Sequence, residues 1–446
     1  MQQFDQKKNF SNQVSAKELL YDKINKTQFE FFLKLSGLLS KGIDLKQRYG
    51  PIKKDKSLIR IRRIYCQLIC SLMWFNTLRL FVLMFISDKW IQLILGDITG
   101  YWNDYRLYYL MPSFFLSFQC ALCCTIFLMK EKDLSWVVPF FSIRQLQVYN
   151  SKVSLDHKMH NSRIRIVIFF VWIITLATTS VIGFITFDTA WESLDQTTFR
   201  LWIPWMVFQI IWFFYLVLIS YITVSYFNLV CLMISNRFNT VCNEIETLAD
   251  SNPGPPGSKN DQINQLYFDH NEVCELVDES NSFWQNYIFC TFMTYIPCAC
   301  YVLYNIFFAD FDIILAVYTW GVFFHTLFIL AIICISAADV SSEAHAPYTA
   351  LHTLSLLELP IDLEVNMSTF LHRVRGPTIG YSCLDLFVVT NSSISNTIAA
   401  VASYFLIVAD FSRSTMTNRY KTQQPDNSTS TMTTLSSMFT MTTSVK

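Results

Sequence analysis

Seven stretches of this chain are long, apolar and almost free of charge, and that pattern leaves few folds open. They are Ile64–Ile86, Leu107–Met129, Ile164–Phe187, Ile203–Met233, Phe283–Phe308, Ile313–Ala338 and Ile394–Phe411. A helix rising ~1.5 Å per residue needs about 20 apolar residues to cross the hydrocarbon core of a bilayer. Lipid offers no hydrogen bonds, so such stretches must satisfy their own backbone and fold as helices. Only 15% of the 446 residues are charged, where a soluble chain devotes about a quarter to charge. The fold class predicted is an all-α membrane protein with seven transmembrane helices. Leu134–Phe141 is too short to cross and reads as an interfacial or loop helix.

The cations set the expected orientation. Lys53, Lys54, Lys56, Arg60, Arg62 and Arg63 precede the first stretch, and Lys130, Lys132, Arg144, Lys152, Lys158 and Arg163 follow the second. The alternate loops are poor in Lys and Arg, so the positive-inside rule puts the N-terminus in the cytosol and the C-terminus outside. The start, Met1 to Lys8, is polar and predicts no cleavable signal. Residues 1–62 then form a cytosolic N-terminal region, residues 63–411 the seven-helix domain, and residues 412–446 a disordered Ser/Thr-rich extracellular tail with a glycosylation sequon at Asn427. Helical spacing continues past the spans into cytosolic segments at 228–282 and 339–391, interrupted by Ser251–Ser258 and stopped at Gly376-Pro377. A multi-pass protein of the plasma membrane is the expected location.

Several functions are excluded. Lys+Arg and Asp+Glu both number 34, so no net field attracts nucleic acid. The cysteines lie in apolar runs or segments assigned to the cytosol, and Cys120-x-x-Cys123 sits inside a span without His or acidic partners, which favours packing over a metal or redox site. No catalytic motif occurs, no metal site or cofactor is predicted, and the chain does not read as an enzyme.

The last stretch carries the most information. Asn396, Ala400, Ser403, Ile407 and Asp410 recur at helical spacing and share one small, polar face, opposed by Ile398, Val401, Phe405 and Val408. Lipid cannot satisfy a polar stripe, so it faces protein or water. One reading is helix packing through small residues. The other is a pore lining: around a symmetric oligomer Asp410 makes a carboxylate ring that attracts cations, and Ile407 an apolar constriction that gates by dewetting.

Ser403-Tyr404-Phe405-Leu406-Ile407-Val408-Ala409-Asp410-Phe411 resembles the closing signature of insect gustatory and odorant receptors and their nematode relatives, Thr-Tyr, five hydrophobic residues, then Gln-Phe. Here Ser403 stands for Thr and Asp410 for Gln, and the second change introduces charge. The resemblance implies a gustatory-receptor-like chemosensory receptor of sensory neurons, a subunit of a homo- or hetero-tetrameric, ligand-gated cation channel whose last helix (about residues 393–411) lines the pore. It also implies an inter-subunit anchor built from cytosolic segments matching Asn228–Leu248, Gln262–Ser280, Val340–Leu357 and Ser368–Asn391, and a pocket for a small-molecule stimulus in the outer half of spans two to six.

Aromatic residues are dense in that half, and Tyr109, Trp205, Tyr304, Tyr318, Trp320 and Phe324 are the candidate pocket. Nematode members of the family that respond to light or peroxide offer an alternative stimulus, with Trp74 and Trp320 as candidate absorbers. Arg79, inside the first span, is within snorkelling reach of the outer surface or else pairs inside the bundle. Two other classes remain, a G-protein-coupled receptor, with the opposite C-terminal placement, and a secondary transporter, for which no inverted repeat or broken pair of spans is visible.

Overall fold

The structure is a computed structural model describing residues 31–39, 56–97, 106–130, 195–250, 256–309, 313–356, 361–376 and 378–423, with scattered helical positions between 170 and 191. Helices run α1 Lys56–Phe85, α2 Lys89–Ile94, α3 Arg106–Met129, α4 Gln196–Asp250, α5 Pro256–Phe308, α6 Ile313–His345, α7 Tyr348–Ser355, α8 Ile361–Arg375 and α9 Asn391–Gln423. Most of the third predicted span, the short helix predicted at 134–141, and the tail with Asn427 lie outside the described residues. Among the described residues, α1, α3, α4, α5 and α6 are long and apolar enough to cross a membrane. The last span lies within α9, which carries more polar residues.

α1 packs against α3, α4 against α6, α5 against α3 and α6, and α9 against α5 and α6. Apolar burial fills this bundle, and polar rungs lock its register. The Gln119 amide donates to the Thr291 hydroxyl at 2.7 Å and its carbonyl oxygen accepts from Thr294 at 2.8 Å, joining α3 to α5. Thr77 and Ser117 hydroxyls pair at 2.9 Å between α1 and α3. Tyr65 donates to the Leu35 carbonyl at 2.7 Å and meets the Tyr215 hydroxyl at 2.8 Å, tying residues 31–39 and α4 to α1. Such bonds form because the competing partner, water, is absent from the hydrocarbon layer.

α4 and α5 have 55 and 53 residues, about 80 Å each at helical rise, against a hydrocarbon core of about 30 Å. Their extensions meet α7 and α8 in a second apolar cluster. Val241, Ile245 and Leu248 present one face of α4, Ile263 and Leu266 one of α5, and Leu351, Leu354, Met367, Phe370 and Val374 complete it. At its far end α4 closes at Asp250 and α5 opens at Pro256. His270 lies between the two clusters, 1% exposed. Its Nε2–H donates to the Ala344 carbonyl at 3.1 Å, its Nδ1 accepts from the Cys274 thiol at 3.5 Å, and the Phe238 and Phe370 rings flank it at 5.3 Å.

A hairpin leads into α9. Ser382 and Val388 bridge antiparallel, and the turn between them has positive φ at Leu384 (47°) and Asp385 (58°), as in a type I′ turn. Leucine tolerates that conformation poorly, and the hairpin is held from outside. The Asn281 amide donates to the Ser382 hydroxyl and its oxygen accepts from the Ser382 N–H, both at 2.9 Å. Tyr381, 0% exposed, pairs with the Ser280 hydroxyl at 3.0 Å and packs against Phe227 at 5.1 Å. His345 donates to the Val374 carbonyl and accepts from the Ile379 N–H at 3.2 Å, fastening the end of α6 to the end of α8 and to the segment that leads into the hairpin.

Burial pushes the His270 imidazole from 6.5 down to about 4, helped by the nearby charges of Arg373 and His345 and opposed by its bond to Ala344. An unfolded imidazole takes up its proton near 6.5, well before the buried one, so stability falls as pH drops from about 6.5 to 4. At ~1.4 kcal/mol per unit, the loss is on the order of 3 kcal/mol by the end of that window. Melting of the detergent-purified protein across pH 7 to 4 should show it, and His270→Gln should flatten the slope; an equal slope in the variant removes His270 as its source.

Candidate functional site

A small cavity opens where three helices converge. Tyr109, Ser113 and Leu116 line it from α3, Gln209, Trp212, Phe213 and Leu216 from α4, and Tyr318 from α6. The spacings i, i+4, i+7 on α3 and i, i+3, i+4, i+7 on α4 put each set on one helix face. Pro112, inside α3, removes one backbone bond at this level. The cavity holds about 20 Å³, room for one water molecule, so a larger occupant must displace side chains.

Its polar groups are few. Ser113 and Tyr318 hydroxyls pair at 2.7 Å, and the Tyr109 and Tyr318 rings lie 5.0 Å apart at 40°. The Gln209 amide donates to the Gly96 carbonyl at 3.1 Å. Trp212 is 4% exposed, and its indole N–H finds no acceptor among the described residues. Among the described residues, no charged side chain lines the space.

Of the aromatic residues singled out from sequence, the structure brings Tyr109 and Tyr318 together here. Trp205 lies against Arg79 and Gly96. Tyr304 stacks on Phe308 at 5.0 Å, beside the last helix through Phe405. Trp320 and Phe324 stack at 5.6 Å and are 44% and 61% exposed on the outside of the bundle. Trp74, also on the surface, donates to the Thr125 hydroxyl at 2.9 Å. Ser113 and Gln209 were not anticipated as part of the site; a serine and a glutamine one helical repeat from aromatic residues inside predicted spans is the signal that marks them.

Beside the cavity lies a polar knot. Arg79 does not snorkel: it is 5% exposed. Its Nε–H donates to the Leu95 carbonyl, its Nη1 to Asn76 Oδ1 at 2.8 Å, and its guanidinium sits 4.8 Å from the Trp205 ring centroid. Arg106 pairs with Asp97 at 2.9 Å and donates to the Leu83 and Ile86 carbonyls. Gly96, with φ +76°, is required here, because a Cβ would come within 2.5 Å of Trp205. Gln209 therefore belongs to both knot and cavity.

The second candidate element is α9. Val401 accepts from the Cys300 thiol, and Phe405 packs between Phe307 at 5.5 Å and Phe308 at 6.3 Å. Asn396, Ser403, Ile407 and Asp410 are exposed, with Ile407 63% open, and Ala400 is half-buried at the boundary of the packed face. Ile398, on the opposite, apolar face with Val401, is also exposed, at 66%.

Comparison with known proteins gives one family match, the 7tm chemosensory receptor family, over residues 142–414. Two solved structures share the fold. The olfactory receptor OR5 of the insect Machilis hrabei in complex with eugenol aligns with a TM-score of 0.59 at 12% identity, covering 86% of this chain and 97% of that one. The same receptor in a second structure aligns with a TM-score of 0.59 at 13% identity, covering 87% and 98%. No curated protein matches the sequence.

The knot yields a prediction. Arg79→Met leaves the Leu95 carbonyl and the Asn76 amide buried without their donor, each at a cost of about 1–3 kcal/mol. The variant should melt well below the parent in fluorescence-detected size-exclusion assays. Arg79→Lys should recover little, because an ammonium cannot reproduce the planar fork over Trp205. Parental melting in both variants would show the knot to be dispensable.

Proposed function

The chain belongs to the seven-transmembrane chemosensory receptor family, of the insect gustatory and odorant receptor-like kind, and from that premise we propose that it is one subunit of a tetrameric cation channel opened by a small molecule. The observation that carries the proposal is the divided surface of α9. One side packs within the subunit through Val401 and Phe405, while the edge bearing Asn396, Ser403, Ile407 and Asp410 is uncovered. A carboxylate and an amide on a membrane helix are not left to lipid. Copies arranged about an axis would enclose that edge around water, with Ile407 as the constriction and Asp410 as the ring that favours cations.

The long extensions of α4 and α5, with α7 and α8, are the cytosolic anchor in this reading, and the α9 end lies outside the plasma membrane. The ligand enters the cavity between α3, α4 and α6. Filling it displaces Tyr318 and therefore α6, and α9 rests on α6 and α5. The OR5 structure with eugenol is of a receptor holding a small aromatic molecule, and a cavity walled by Tyr109, Trp212, Phe213 and Tyr318 suits a ligand of that type.

Two measurements test the pore. Asp410→Lys replaces an attracting ring by a repelling one and should shift the reversal potential away from cation selectivity in whole-cell recordings; an unchanged potential removes Asp410 from the conduction path. Ile407→Ala shortens the apolar constriction and should raise unstimulated current several-fold, whereas a silent variant would place the gate elsewhere.

A further inference from the structure

We infer that the Trp212 indole N–H is the specificity determinant of the cavity and selects neutral ligands that carry a hydrogen-bond acceptor oxygen, such as an aromatic ketone or ether. The inference rests on the ligand-cavity reading and deepens it. Trp202, Trp212 and Trp284 all have buried indole nitrogens without an acceptor among the described residues. All three are packed in apolar clusters, and of the three Trp212 also lines the cavity. An unpaired buried donor is costly, and a ligand oxygen that reaches it recovers that cost.

In the unfilled cavity the Ser113 and Tyr318 hydroxyls hold each other, and one Gln209 N–H is bonded to Gly96. Of the lining groups, the buried donor with no acceptor among the described residues is the indole. Charge is disfavoured on both sides. Among the described residues the lining has neither a carboxylate to meet a cation nor a cation to meet an anion, and Arg79, the nearby guanidinium, is bonded to Leu95 and Asn76 and covered by Trp205. The aromatic wall accommodates a ring, so the ligand class is a small, uncharged, ring-bearing molecule with one exposed oxygen.

Matched probes isolate the oxygen. Acetophenone and α-methylstyrene have nearly the same shape and differ in a carbonyl oxygen against a methylene; anisole and ethylbenzene form a second pair. Dissociation constants come from equilibrium dialysis against the purified full-length chain, so the result does not depend on whether current flows. The oxygen-bearing member of each pair should bind about twofold to tenfold more tightly, the range for one net hydrogen bond. Trp212→Phe should bring the two members level. Replacing Trp212 by benzothienylalanine, which keeps the ring shape and deletes the N–H, should do the same and guards against a packing defect. Ser113→Trp fills the cavity and should abolish binding of all four probes.

Equal affinities within the pairs, a preference that persists without the N–H, no binding of any probe, or tighter binding of benzoate than of acetophenone would each overturn the inference. If instead Ser113→Trp leaves binding intact, the ligand-cavity reading itself fails. The two failures are therefore distinguishable.

Discussion

The hydrogen bonds from Ser280 and Asn281 to Tyr381 and Ser382 fix the relation between the two halves of this molecule. They join the point where α5 leaves its extension to the hairpin that launches the last helix. Tyr381 is fully buried against Phe227 of α4 and bonded to Ser280 of α5, so one side chain of the hairpin touches both long helices. A buried hydroxyl pair has no water to exchange with, which makes this junction directional in a way apolar contact is not. The strained turn at Leu384 and Asp385 persists because these external bonds over-determine the hairpin. The position of α9 is set by this clamp together with its packing on α5 and α6, which is confined to one side.

The architecture was largely legible before any coordinates. Long uncharged runs give α1, α3, α4, α5 and α6 their identity, since the bilayer requirement dominates every competing preference. Continuation of helical spacing beyond Met233 and before Phe283 gave the extensions of α4 and α5, and the Pro/Gly-rich run Ser251–Ser258 pointed to the break between them, although α5 begins within that run, at Pro256. Pairing was less accessible. That Gln119 reaches Thr291 and Thr294, or Tyr65 reaches Tyr215, depends on which spans are neighbours, and helix periodicity carries no such information. The hairpin at 381–389 was also out of reach, because its turn residues lack the Asn-Gly type that announces a positive φ.

The site divides in the same manner. The stripe on α9 was readable because periodicity alone places Asn396, Ser403, Ile407 and Asp410 on one edge, and the structure leaves those four exposed. The cavity was only half visible. Aromatic character pointed to Tyr109 and Tyr318 but equally to Trp320 and Phe324, which lie on the outside of the same helix α6. Which face of an all-apolar helix turns inward is decided by its neighbours, since such a helix has almost no hydrophobic asymmetry of its own. Arg79 was ambiguous for a related reason: its partners Leu95 and Trp205 come from a loop and a distant helix.

The one-sided seating of α9 has a mechanical meaning. A helix embedded on all sides can move only by breaking a well-packed core, and its displacement is correspondingly expensive. Phe405, wedged between Phe307 and Phe308, instead gives α9 something like a pivot, with the greater part of its circumference free of its own subunit. Rotation or tilt about that pivot alters what the free edge presents while the contacts behind it persist. A subunit built this way can switch its exposed lining without partially unfolding to do so.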